Sequence, residues 1–179
     1  VEINERMETG VAGLYVAGEA GSGVFGACRV GDGLVEMMCQ GMRAGIGAAD
    51  YAVHSGKPQL DETQLDTYLD KIYGIFDHAD GMEALELYHE TIKACDEGFG
   101  LIRTEEKLEN ALRRIEELKE LWKNVTLSGK STAYNLEWLG ALQTENLLTC
   151  CEAGIRAAIL RKESRGCHMR KDYPQVDHN

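Results

Sequence analysis

The chain has 179 residues, enough for one domain with a real core or for a fragment plus a small domain. Hydrophobic residues make up 44% and charged residues 27%, and only two prolines among many Leu, Glu, Lys and Ala residues favour helix. A net charge of −11 argues against a nucleic-acid partner, which needs a dense cationic surface, and no apolar run of about 18 residues is present to span a membrane.

Glycines concentrate between residues 10 and 47. There, Gly13-Leu14-Tyr15-Val16-Ala17-Gly18 reads as a short buried strand ending at a glycine. A glycine loop follows from Ala17 to Gly33. The next segment, Leu34 to about Val53, is apolar on nearly all faces and is expected to be a helix enclosed by protein. From about residue 60 four helical stripes follow. The first carries Leu65, Leu69, Ile72 and Phe76, and the second Met82, Leu85, Tyr88, Ile92 and Cys95. The third carries Leu108, Leu112, Ile115 and Leu118, with Thr104 as N-cap and Glu105 and Glu106 in the first turn. The last helix is expected from about Thr132 to Glu163, turning Leu136, Leu139, Leu147, Leu148, Cys151, Ile155 and Ile159 inward. Short connections favour an antiparallel bundle.

The six cysteines form no CxxC pair and are read as reduced thiols. Neither they nor the five histidines fall at metal-ligand spacings, so no metal site is expected. The glycine loop is either a bare turn or a cradle that brings backbone N–H groups and a helix N-terminus against an anionic or polar ligand. Glu19, directly after Ala17-Gly18, is placed to accept hydroxyl hydrogen bonds. Arg29 lies among apolar and glycine residues, where its guanidinium needs an anion. That anion is either a ligand carboxylate, which its planar fork matches bidentately, or Glu19 itself.

Val11 to Gly45, VAGLYVAGEAGSGVFGACRVGDGLVEMMCQGMRAG, resembles the second flavin-binding segment of the fumarate reductase and succinate dehydrogenase flavoproteins. Glu163 to Pro174, ESRGCHMRKDYP, resembles the signature that ends their helical C-terminal domain. The resemblance covers almost the whole chain and implies bound FAD and hydride transfer between flavin and a dicarboxylate. By position it implies that Glu19 binds FAD, that Gly33, Leu34 and Val35 touch the isoalloxazine ring through their backbone, and that Arg29 holds a substrate carboxylate. No catalytic residue is expected within this chain, because the proton-shuttling arginine and the dinucleotide fingerprint would lie upstream of Val1. Arg29-Val30-Gly31-Asp32-Gly33-Leu34-Val35-Glu36 is one residue shorter than the family pattern, lacks its Asn-Ser pair and puts Asp32 near the flavin edge.

The expected fold is mainly α: the C-terminal remnant of an FAD-binding α/β domain (strand, glycine loop, buried helix; residues 1–57), an antiparallel helical domain (58–165), and a tail (166–179) returning to the flavin domain. Arg165, His168 and Arg170 either line a functional surface or tie the tail in place, and the second role is favoured because cations suit a helix C-terminus. The resemblance further implies an N-terminal remainder of the flavoprotein and an iron–sulfur electron-transfer subunit as partners. It also implies a cytoplasmic location or one at the cytoplasmic face of a membrane through a partner subunit. Both ends read as cuts through a longer protein, and the chain by itself is expected to be inactive. An L-aspartate oxidase, an adenylylsulfate reductase-like subunit and a non-catalytic helical interaction module are the competing readings.

Overall fold

A computed structural model describes residues 1–21, 33–59 and 61–178. The chain divides into two compact units, Val1–Leu60 and Asp61–Asn179.

In the first unit, residues 7–16 fold back on themselves. Thr9 N–H donates to the Leu14 carbonyl (3.1 Å) and Val16 N–H to the Met7 carbonyl (3.0 Å). Glu8 and Tyr15 form one antiparallel bridge, and Gly13 takes a positive φ that lets the chain reverse. The expected strand over Gly13–Gly18 is thus reduced to that single bridge, and Val11 and Leu14 are exposed. A 3-10 turn, Gly18–Gly21, follows, and helix α1 runs Leu34–His54. Its only buried residue is Gly47, where an added Cβ would sit 2.7 Å from the Tyr15 ring. The helix was expected to be enclosed. Instead Leu34, Val35, Met38, Met42, Ile46 and Val53 are all exposed, Met38 at 76%. An apolar side this long is unfavourable in water and marks a surface made to be covered.

The second unit is an α-helical bundle: α2 (Glu62–Gly74), a 3-10 turn (Ile75–Asp77), α3 (Ala84–Gly98), α4 (Glu105–Trp122) and α5 (Leu136–Leu160). Three of the four helix starts carry a side-chain cap. Asp61 accepts from Thr63 N–H and Gln64 N–H, Thr104 from Lys107 N–H, and Asn135 from Trp138 N–H, so an orphan donor in the first turn of α2, α4 and α5 is satisfied. Helix α3 has no side-chain cap, and its Ala84 N–H donates to the Thr126 carbonyl. Pairings fix the directions. Gly98 packs on Lys107 and Ala111 while Glu90 pairs with Arg114 (2.8 Å), so α3 and α4 are antiparallel. Trp122 Nε1 donates to the Ala141 carbonyl (2.8 Å) while Arg156 pairs with Glu116 (2.6 Å), so α4 and α5 are antiparallel too. The core joins Leu87, Leu108, Ile115, Leu118, Val125, Leu148 and Ile155, all with no exposed surface. Beyond α5, β2 (Met169–Arg170) lies parallel to β1 (Ile102–Arg103), with Arg103 opposite Arg170.

Three stripes read from the sequence need correction. On α3 the inward residues are Ala84, Leu87, Thr91, Ala94 and Gly98, whereas Leu85, Tyr88 and Ile92 are exposed. On α5 the inward set is Ala141, Thr144, Leu148, Cys151, Ile155 and Ala158, while Leu136 is 79% exposed and Leu139 also faces out. Leu65 and Leu69 of α2 are likewise exposed. Small residues win the interior because they let helix backbones approach. A Cβ at Gly98 would collide with the Ala111 methyl and the Lys107 carbonyl.

Candidate functional site

The 3-10 turn and the start of α1 are tied together by one side chain. Gln40 Oε1 accepts from Gly18 N–H (2.7 Å), and Gln40 Nε2 donates to Glu36 Oε1 (3.1 Å). Gly18 has φ +72°, and a Cβ there would lie 2.7 Å from Met37 Cγ, so glycine alone permits this close seat on the helix. Gly18 and Gly21 are buried, while Glu19 between them is exposed, its carboxylate presented by a backbone that the glycines fix. Val1 N–H₃⁺ donates to the Ala20 carbonyl (2.9 Å) on the same turn.

At Gly33 the chain enters α1 with φ −84° and no capping side chain. Its carbonyl accepts from Met37 N–H (2.8 Å), the first bond of the helix. Gly33 is buried, whereas the Leu34 and Val35 side chains are exposed. First-turn N–H groups have no partner inside their own helix, and the macrodipole places about half a positive charge at that end. Four of the five candidate residues, Glu19, Gly33, Leu34 and Val35, therefore sit at the ends of one tied-together element. Arg29 and Asp32 lie outside the described residues. Gln40 was not singled out from the sequence. The available signal was a Glu36/Gln40 pair at i,i+4 spacing in the otherwise apolar first two turns of the segment.

The second motif forms a dense polar knot. The Arg170 guanidinium is fully buried. It donates to both Asp172 carboxylate oxygens (2.9 Å each), to the Ala158 carbonyl (2.8 Å) and to Glu105. Asp172 Oδ2 also accepts from Glu105 N–H (2.7 Å), so the tail contributes an acceptor to the first turn of α4. The Arg170 hydrogen bond, with that backbone donor, holds the Asp172 carboxyl well below the usual carboxylate range, and raises Arg170 in turn. Glu163 accepts from Arg165 Nε (3.1 Å), Arg161 Nε (2.8 Å) and Asp177 N–H (2.8 Å), which bring its pKa down to about 2. His168 bridges Arg103 Nη1 (2.9 Å, on Nδ1) and the Arg161 carbonyl (2.9 Å, on Nε2). The first contact requires Nδ1 to accept, so the ring is the Nε2–H tautomer. His168 and Arg170 thus join the tail to the start of α4 and the end of α5, while Arg165 links Glu163 to Asp177 within the segment that follows α5. Among the described residues, no cluster of three or more His, Cys, Asp or Glu could hold a metal ion, and no helix is long and apolar enough to cross a membrane.

Comparison with known proteins places this geometry. Residues 89–179 match a family described as fumarate reductase flavoprotein C-term. The fumarate reductase flavoprotein subunit of Haemophilus influenzae is 31% identical over 181 residues, covering 99% of this chain and 30% of that protein. Mycobacterium smegmatis Sdh1 in complex with UQ1 superposes with a TM-score of 0.91 at 33% identity, over 99% of this chain and 30% of that one. Escherichia coli quinol fumarate reductase gives 0.89 at 28% identity, over 99% and 32%. An adenylylsulfate reductase of Archaeoglobus fulgidus, at 19% identity and a TM-score of 0.68, shares the fold alone. The chain spans about a third of the length of the curated relatives it matches. It belongs to the fumarate reductase flavoprotein family.

Proposed function

We propose that this chain contributes the second flavin-binding segment and the helical domain of an FAD-dependent oxidoreductase that interconverts a dicarboxylate and its unsaturated partner. The observation that carries the reading is the coupled pair of ends in the first unit, where the glycine-fixed Glu19 turn is bonded through Gln40 to the helix that starts at Gly33. The segment suits FAD on chemical grounds. An exposed carboxylate fits a ribose or ribitol hydroxyl, and uncapped first-turn N–H groups fit the electron-rich pyrimidine edge of a flavin. The flavin, when bound, supplies the hydride chemistry.

The protein's own residues bind and orient. Glu19 holds the cofactor. Gly33, Leu34 and Val35 lie along the ring through their backbone, the buried glycine allowing close approach. Arg29 anchors a substrate carboxylate by its planar fork, fixing which carbon faces the flavin. The exposed apolar side of α1 is covered by the N-terminal remainder of the flavoprotein, with residues 1–57 completing the FAD domain and 58–165 forming the helical domain. That relatives are described as a subunit and as part of a complex supports partnership with an iron–sulfur electron-transfer subunit, placed at the cytoplasmic face of a membrane. The test is Arg29→Ala in the intact flavoprotein. The expected result is retained FAD with dicarboxylate kcat/KM lowered by about a hundredfold or more, the loss of one charge-assisted bidentate pair. Unchanged turnover and affinity would remove Arg29 from substrate binding.

A further inference from the structure

Cys95 and Cys151 both belong to the second unit. Their sulfurs, on α3 and α5, lie 3.2 Å apart, with 55 residues between them in sequence. Cys151 belongs to the inward stripe of α5 and is buried, and Cys95 is half-buried against the same core. One turn further on, Gly154 meets the Phe99 ring, where a Cβ would come within 3.0 Å, so α3 and α5 are held close and in register beside the sulfurs. The sulfurs need approach only about 1.2 Å further to reach the disulfide bond length of about 2.05 Å.

We propose that Cys95 and Cys151 are a reversible redox pair, converted by a peroxide into a disulfide that staples α3 to α5. In the reduced pair the Cys95 S–H donates to Cys151 Sγ, which makes Cys151 the sulfur that attacks. Burial, reinforced by that contact, pushes the Cys95 thiol up to about 12, which keeps the proton on Cys95 until the second step. Cys151 attacks one peroxide oxygen and gives up its thiol proton. An S–O bond forms, the O–O bond breaks, and the leaving hydroxide takes up the proton released by Cys151 as water. Cys95 then attacks the sulfenic sulfur. The S–S bond forms, the S–O bond breaks, and the departing hydroxide leaves as water with the Cys95 proton. Two thiols lose two electrons and one peroxide becomes two waters. The neighbouring Cys150, though adjacent in sequence, is exposed and has no part in the bridge.

The test is made on the intact protein treated with a few equivalents of hydrogen peroxide, blocked with an alkylating agent, digested and read by mass spectrometry with sequencing of linked peptides. The expected product is a peptide carrying Cys95 bonded to Cys151, reversed by dithiothreitol, retained in Cys150→Ser and lost in Cys95→Ser. Oxidation is expected to raise the thermal midpoint of the wild-type second unit by about 5 to 10 °C. If Cys95→Ser fails to fold, the wild-type linked peptide still decides the matter. Alkylation of both sulfurs after peroxide, their loss to sulfinic acids without a bridge, or a bridge from Cys95 to Cys150 would each overturn the proposal.

Discussion

Replacing Arg170 by methionine removes the centre of the knot that binds tail, α4 and α5. The guanidinium has no exposed surface and makes bonds to Asp172, Glu105 and the Ala158 carbonyl. Methionine approximates its stem but leaves two carboxylates and a carbonyl without their donor. A hydrogen bond to a charged group contributes about 1.5–3 kcal/mol and a neutral one about 1 kcal/mol. Because the Asp172 and Glu105 side chains retain 28% and 34% exposure, water recovers part of the loss. The net cost is about 3 kcal/mol, at the lower end for breaking a buried ion pair. For a chain of this size that lowers the thermal midpoint by about 6 to 12 °C, measurable by circular dichroism at the helical wavelength. Arg170→Lys, which keeps the charge but not the planar fork, recovers less than half of the loss. A change below about 1 kcal/mol in Arg170→Met would refute the claim that the signature near the chain's end is a structural clasp.

Gly98→Ala is expected to destabilise the bundle by about 1–3 kcal/mol in a denaturant titration, because the new methyl meets Ala111 and a backbone carbonyl rather than a yielding side chain. Glu163 binds its proton more weakly in the fold than in the unfolded chain, where its pKa is about 4.3. Its contribution to stability is therefore complete above about pH 5 and is lost as pH falls through 4 towards about 2. Glu163→Gln should flatten the acid limb of a pH–stability profile over that window, and an unaltered limb would count against the network. Glu19→Gln in the intact flavoprotein is expected to lower FAD occupancy by about tenfold after gel filtration while leaving the helical melt unchanged. Equal flavin content would reject its role.

The sequence was most informative where local chemistry decides. Thr104 as N-cap follows from a hydroxyl three residues ahead of a free N–H, and the structure has that bond. The existence of the four later helices follows from apolar spacing, and that of α1 from a segment apolar on nearly all faces. Which face turns inward on α3 did not, because size misled. Leu85, Tyr88 and Ile92 recur at helical spacing as well as Leu87, Thr91 and Ala94 do, and only the partner helices choose between them. The choice falls on small residues since α4 passes close at Gly98. On α1 the all-apolar reading was sound as chemistry, yet the chain supplies no cover for Val35, Met38 and Met42 among its described residues. Among the candidate site residues, Glu19 and Gly33 stood out by their place in the glycine segment. Gln40 did not, because its bond to Gly18 spans 22 residues and no local spacing announces it. The same holds for Glu105 and Arg170, 65 residues apart.

The central claim is that this chain forms part of an FAD site that reacts with a dicarboxylate. Its most direct test is the visible spectrum of the intact flavoprotein under anaerobic conditions. After reduction with dithionite, addition of fumarate is expected to restore the yellow bands of oxidised flavin, with succinate formed in equal amount. A protein without those bands, or one whose reduced flavin stays bleached in fumarate while dioxygen restores it, would contradict the account.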